Sequence, residues 1–294
     1  MNILLAIDHS TSAETAVSEV AARPWPPMTK VCVLSVVEPP RVLVVPSIVQ
    51  TATEASQALV GNAADRLSAQ GLETSTHVVQ DYPRSGIVEY AGNWGADMIV
   101  VGSRGQSGIT RFLMGSVAHA VVRHAQCSVE VVRATISDRP AGARAMKILL
   151  ATDGSEFSAA AARSVAGRPW PEGTKVSVIS VADLVTPAIE PWHIDVRITE
   201  TLREEAMTRA HDAAQAAENI IGQAGLECGG MVLTGPAREA ILDEAKEWAA
   251  DLVVVGSHGL RGIKRLLIGS VAEAVAVHAH CSVEVIREPV TGKQ

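Results

Sequence analysis

The opening of this chain returns near its middle. Ile3-Leu4-Leu5-Ala6-Ile7-Asp8-His9-Ser10 corresponds to Ile148-Leu149-Leu150-Ala151-Thr152-Asp153-Gly154-Ser155, an offset of 145 residues. Arg23-Pro24-Trp25-Pro26 and Arg168-Pro169-Trp170-Pro171 keep that offset, whereas Cys127-Ser128-Val129-Glu130-Val131 and Cys281-Ser282-Val283-Glu284-Val285 lie 154 apart. The chain is a duplication, so whatever fold it takes must be built from two copies of one unit. The nine extra residues of the second copy fall mostly between its second strand and the Gly235-Pro236 turn, around Thr186 to Ile198.

With 294 residues, each copy is long enough for a domain with its own core. The reading is a first domain at 1–136, a linker at 137–145, a second domain at 146–288 and a tail at 289–294. Ser137-Asp138-Arg139-Pro140-Ala141-Gly142-Ala143-Arg144 has the small, polar, Pro/Gly-broken composition of a linker.

Within the first copy, short aliphatic runs alternate with helix-like segments. Strands are expected at Ile3 to Ile7, Val31 to Val37, His77 to Val79, Met98 to Val101 and Val129 to Val132. Helices are expected after Thr11 (with Glu14 as a capping box), from about Thr51 to Gln70, from Ser85 to about Trp94, and after Gly115-Ser116. The second copy repeats the order, with its fourth strand at Leu252 to Val255.

Strands one, two and four are near-continuous Val/Ile/Leu runs, the pattern of a parallel sheet buried on both faces. The fold class is therefore α/β: two tandem Rossmann-like parallel-sheet sandwiches, each of about five strands with helices on both faces. Strand five ends each sheet, and edge-to-edge docking of the two halves as an internal pseudo-dimer would cover both edges.

Val100-Val101-Gly102-Ser103-Arg104-Gly105 leads after nine residues to Gly115-Ser116, and Val254-Val255-Gly256-Ser257-His258-Gly259 leads after nine to Gly269-Ser270. Each loop follows a buried-strand pattern and opens a helix. Glycines let backbone N–H groups approach an anion, and the first helical turn supplies unpaired N–H groups and a positive dipole end. Neither G-x-x-x-x-G-K-[ST] nor a G-x-G-x-x-G after strand one is present. The bland alternative is that the glycines only make tight strand-to-helix crossovers.

This pattern, with strand one ending in Asp, resembles the ATP-binding type of the universal stress protein family, and it does so in both halves. The resemblance implies ATP as ligand, with Mg²⁺ on its phosphates. It implies adenine-side roles for Asp8 and Asp153 and base contacts for Val36 and Val181, each 28 residues later. It implies ribose and phosphate contacts for Gly102, Gly105, Gly115 and Ser116, and for Gly256, Gly259, Gly269 and Ser270. Asp8 and Asp153 have a competing use as N-caps of the following helix. His9 stands where the second copy has Gly154, which departs from the family's preference for a small residue.

Arg104, Arg111, His258, Lys264 and Arg265 lie in or beside the loops, where they could offset phosphate charge or simply be solvated. Asp8-His9-Ser10 lists triad residue types, but neighbours along a chain do not converge in triad geometry. His124 with Cys127, and His278 and His280 with Cys281, have metal-compatible types, yet no metal site is assigned. Trp25, Trp94, Trp170 and Trp248 occupy repeat-equivalent places and read as packing residues.

A net charge of −7 with no basic run argues against nucleic acid. The absence of a long apolar run argues against the membrane. The start Met1-Asn2-Ile3-Leu4-Leu5-Ala6-Ile7-Asp8 has no basic leader, and four cysteines do not make a disulfide framework, so a cytoplasmic location is expected. The functional expectation is a nucleotide-responsive regulator in stress adaptation, its ATP-ordered loops read by an unidentified protein partner; a homodimer of whole chains is left open. The alternatives are a slow ATPase, for which Gln106 is the residue to test, and a dimerisation module whose loops bind nothing.

Overall fold

The structure is a computed structural model that describes residues 1–39, 46–105, 114–133, 145–183, 196–260 and 268–287. The linker residues 137–144, the tail 289–294 and the inserted segment 186–195 with Trp192 and His193 lie outside the described residues. So do Gln106, Arg111, Lys264 and Arg265.

The first copy runs β1 (Asn2–Ala6), α1 (Thr11–Ala22), β2 (Lys30–Val37), α2 (Pro46–Ser68), β3 (Glu73–Gln80), α3 (Pro83–Trp94), β4 (Met98–Gly102), α4 (Ser116–His124) and β5 (Ser128–Val132). The second runs β6 (Lys147–Thr152), α5 (Glu156–Ala166), β7 (Lys175–Ala182), α6 (Val196–Gln223), β8 (Glu227–Thr234), α7 (Ala237–Glu247), β9 (Leu252–Gly256), α8 (Ser270–His278) and β10 (Ser282–Ile286). Strands and helices alternate because each parallel strand needs a crossover to return the chain to the same end of the sheet.

The strands form one ten-stranded sheet in the order β3-β2-β1-β4-β5-β10-β9-β6-β7-β8. Pairing is parallel within each half and antiparallel at the joint, where Val131, Glu130 and Val129 face Val283, Glu284 and Val285. Edge-to-edge docking is thus how the duplication is used, and β3 and β8 are left as the outer edges.

Along β1 the side chains alternate between the two faces. Ile3, Leu5 and Ile7 pack with α1 and α2 residues such as Val17 and Leu67. Leu4 and Ala6 pack on the other face, in a cluster that also holds Val121 of α4, Val275 of α8 and Leu149 of β6. That face carries one core shared by both halves, whereas the α1/α2 core and its second-half counterpart, with Ile148, Leu150 and Ile221, remain separate. The expectation of an independent core per half therefore holds on one face only. On the other, α4 and α8 meet across the joint, with His119 Nε2 2.8 Å from Glu273 Oε1.

Two arginines stitch the halves together symmetrically. Arg133, just beyond β5, donates to the carbonyls of Cys281, Ala276 and Val277 at the end of α8. Its counterpart Arg287 donates to Ala125, Val122 and Arg123 at the end of α4. A guanidinium satisfies orphan carbonyls and the negative end of the helix dipole together.

Three element readings change. Helix α2 begins at Pro46, ahead of the expected Thr51. Helix α1 is capped by Ser10, whose extended backbone lets Oγ accept from Ala13 N–H, so Thr11 is already the first helical residue. Strand β3 spans Glu73–Gln80 and not merely His77 to Val79. Its Thr-Ser-Thr segment is largely exposed and so lacks the apolar run that marks a buried strand.

Candidate nucleotide-binding loops

The strand order reverses between β1 and β4, which are neighbours although the chain visits two other strands between them. A crevice beyond the carboxyl ends of the strands at such a point is where open α/β sheets place ligands. Here β1 runs out into Asp8 and β4 into Gly102. The pair β6 and β9 delivers Asp153 and Gly256 in the same relation.

The two loops are tied to each other. Ser10 Oγ, besides capping α1, donates to the Arg104 carbonyl at 3.2 Å. Asp8 Oδ1 accepts from Ser10 N–H at 3.1 Å, and Asp153 Oδ1 from Ser155 N–H at 3.0 Å. The N-caps are therefore Ser10 and Ser155, and the aspartates instead tighten the turn before each helix. That leaves Oδ2 aimed at the glycine loop. In the second half it accepts from Leu260 N–H at 2.9 Å.

The glycines divide into two kinds. A Cβ on Gly102 would lie 2.7 Å from the carbonyl carbon of Ser12, and one on Gly256 2.6 Å from that of Phe157. These two residues let α1 and α5 pack onto the ends of β4 and β9; the crossover reading accounts for them. Gly105 and Gly259 meet no backbone. A Cβ there would lie 2.9 Å from Asp8 Oδ2 and 2.5 Å from Asp153 Oδ2 respectively. Their bare Cα lines the space the carboxylate faces, a cradle that any side chain would fill.

The far end of each loop is anchored from below. Ser103, buried, donates through N–H to Val132 O at 2.9 Å and accepts from Gly115 N–H at 2.8 Å. Ser257 does the same with Ile286 O at 2.9 Å and Gly269 N–H at 2.7 Å. These bonds fix Gly115 and Gly269 as N-caps of α4 and α8, and neither helix has a side-chain cap. Ser116 and Ser270, the first helical residues, are exposed beside those amides. Sequence reading passed over Ser103 and Ser257, although their repetition inside Gly-Ser-x-Gly was the available signal.

Val36 and Val181 are the last residues but one of β2 and β7, half-buried against the shared core. The two loops are not identical. Gly154 takes a left-handed φ of +78°, whereas His9 does not and points to solvent. His258 is buried, its ring 4.9 Å from Phe157 and its Nδ1 3.1 Å from Ser257 Oγ, where the first half has Arg104.

The family model for the Universal stress protein family matches residues 1–133 and again 145–287. This chain belongs to the universal stress protein family. A universal stress protein of Mycobacterium tuberculosis is 30% identical over 291 residues, spanning 98% of this chain and 88% of its own length. One from Methanocaldococcus jannaschii is 33% identical over 147 residues, 49% of this chain and 82% of its own. The fold is shared with a crystal structure of a universal stress protein from Archaeoglobus fulgidus, at a TM-score of 0.68 and 19% identity, covering 99% of this chain and 97% of that one.

Among the described residues of this universal stress protein, no helix is long and apolar enough to cross a membrane. Burial pushes the Cys127 thiol up to about 11 and the Cys281 thiol up to about 12. Both therefore behave as packing groups in the turns before β5 and β10.

Proposed function

We propose that this universal stress protein binds ATP in one or both halves and acts as a nucleotide-responsive regulator in stress adaptation. The observation that carries the reading is the uncapped start of α4 and α8. Each begins at a glycine held in place from below, beside an exposed serine and opposite a strand-end carboxylate, at the switch point of its sheet. The helix-start amides that follow Gly115 and Gly269, with the Ser116 and Ser270 hydroxyls, would hold the phosphates, Gly105 and Gly259 would admit the ribose, and Asp8 and Asp153 would accept from the nucleoside. Val36 and Val181 would lie against the base. Mg²⁺ bound with the nucleotide would neutralise phosphate charge that the acidic chain does not.

The regulatory step is population shift: nucleotide favours one arrangement of the loops from Gly102 to Gly115 and Gly256 to Gly269, and a protein partner reads that surface. Hydrolysis would need a group to orient water at the phosphates. Asp8 and Asp153 stand on the nucleoside side in this reading, so neither is assigned that task, and the reading is of binding rather than turnover.

Mass spectrometry of the purified chain, native and after denaturing release, tests the reading together with ATP titration calorimetry. Gly115→Ala with Gly269→Ala is expected to leave a folded protein with affinity reduced about tenfold or more, since a methyl group displaces the phosphate from the amides. A folded double variant with unchanged affinity would refute it, as would a wild-type chain that neither carries nor binds nucleotide.

A further inference from the structure

A cleft of about 690 Å³ opens where the two halves meet. One wall belongs to the first half, with Ala91, Asp97, Met98 and Cys127 at the amino-terminal end of its sheet, away from Gly102 and Gly105. The other belongs to the second half: the face of α5 bearing Ala160, Arg163, Ser164 and Gly167, then Arg168, with Ile286 and Arg287 from the end of β10. Three arginines and one carboxylate thus line a largely apolar space.

Two of those arginines are left incomplete. The Arg168 side chain is only 8% exposed; it gives Nη2 to Glu284 Oε2 at 2.7 Å and Nε to the Ser164 carbonyl at 3.1 Å. Its Nη1 is buried without a partner, as is Arg287 Nε; Glu284 Oε1 is also without a partner but is not part of the cleft wall. Buried donors are normally satisfied by protein, water or a ligand, so these two arginine donors point to an occupant of the cleft.

The repeat shows what has changed. In the first half, every guanidinium nitrogen of Arg23 has a partner: Nε donates to Glu19 at 2.8 Å, Nη1 to Glu130 Oε2 at 2.9 Å and Nη2 to Glu130 Oε1. The positions 145 residues on replace Glu19 with Ser164 and Ser18 with Arg163. One acid is lost and one base gained on the same helix face, a swing of two positive charges at this cleft only. Arg163, about half exposed and 3.7 Å from Glu156, sits at its rim.

We propose that this cleft binds a small organic oxyanion, a phosphate monoester on a compact apolar body. The anionic oxygens are taken by Arg168 Nη1 and Arg287 Nε, and the body lies against Ala91, Met98 and Ile286. Charge-assisted hydrogen bonds are the strong kind, and a phosphate monoester supplies the acceptors that the two orphan arginine N–H groups lack. The site is separate from the glycine loops and independent of whether they take ATP.

The test is titration of the isotopically labelled full chain with phenyl phosphate, followed by NMR and calorimetry. Binding is expected to shift the resonances of Ser128, Ser164 and Gly167 and the Arg168 side chain, in the presence of saturating ATP as in its absence. Ser164→Glu rebuilds the arrangement Arg23 already has, so the fold is kept while affinity falls about tenfold or more. Arg163→Ser, copying the other first-half residue, weakens binding severalfold. Shifts confined to the glycine loops, no shifts at all, or affinity unchanged by Ser164→Glu in a folded variant would each overturn the proposal. In the last two cases the orphan atoms hold water alone.

Discussion

Glu130 of β5 and Glu284 of β10 stand directly opposite each other in the antiparallel pair that joins the two halves. Both are buried, at 1% and 0% exposure. Like charges across an antiparallel rung repel, and in a dry core they do so strongly. The arrangement survives because each half brings its own counter-ion: Arg23 from the end of α1 pairs with Glu130, and Arg168 from the end of α5 with Glu284.

The joint should respond to acid. Burial pushes the Glu130 carboxyl above its ordinary value; Arg23 opposes the shift, and Glu284 and Glu19 add to it. A carboxyl raised in the native state favours the protonated form. Its contribution to stability therefore grows as pH falls from neutral through the raised value, and is complete below the ordinary 4.5. Melting temperatures of wild type and Glu130→Gln from pH 7.5 to 5 are expected to show the wild-type margin widening with acidification. A margin that is constant or shrinks contradicts this account.

Removing one partner of the buried pair should hurt more than removing both. Arg23→Met strands Glu130 beside Glu284, at a cost of roughly 3–5 kcal/mol, whereas Arg23→Met with Glu130→Leu should recover most of that loss. Urea unfolding of the two single variants and the double variant measures the coupling as a cycle. Additive losses would mean the pair is not energetically linked.

Glycines within one loop should fail in different ways. Gly102→Ala pushes a methyl group against the Ser12 backbone 2.7 Å away, and Gly256→Ala does so against Phe157 at 2.6 Å. Neither contact can yield without moving a helix, so a loss of about 1–3 kcal/mol is expected. Gly115→Ala meets nothing nearer than Arg104 Cα at 3.3 Å and should cost much less stability. Equal drops in melting temperature for the two substitutions would remove the distinction between packing glycines and helix-start glycines.

The thiols before β5 and β10 should be sluggish. With Cys127 pushed up to about 11 and Cys281 to about 12, thiolate is scarce at pH 8, and alkylation of the native chain is expected to run roughly a hundredfold slower than for a free thiol. Peptide mapping after timed iodoacetamide treatment reads each site. Rapid labelling of Cys281 would show that the turn before β10 opens.

Much of the fold was legible because its causes are local. The aliphatic runs at Ile3 to Ile7 and Met98 to Val101 carry the mark of buried parallel strands, and Gly115-Ser116 and Gly269-Ser270 that of helix starts. Strand β3 and the Ser10 cap were misjudged for one reason: both depend on which residues face solvent or turn outward, and a polar edge strand carries no periodic apolar mark. In the candidate site, Gly105 and Gly259 were legible as glycines but not as neighbours of Asp8 and Asp153, nearly a hundred residues or more away along the chain.

The sequence by itself determined that there are two copies of one α/β unit, which residues of each reach the carboxyl ends of the strands, and where the second copy has exchanged Glu19 for Ser164. Those are properties of order and spacing, which a repeated sequence states outright. Only the tertiary structure decided that the two sheets fuse through β5 and β10 and that one face shares a core across the joint. It also decided that Arg133 and Arg287 cap helices in the opposite half, and that Arg168 is left with a donor unmet. These follow from contacts between residues remote in sequence, chosen when burial at the joint has to satisfy every charge and carbonyl it encloses.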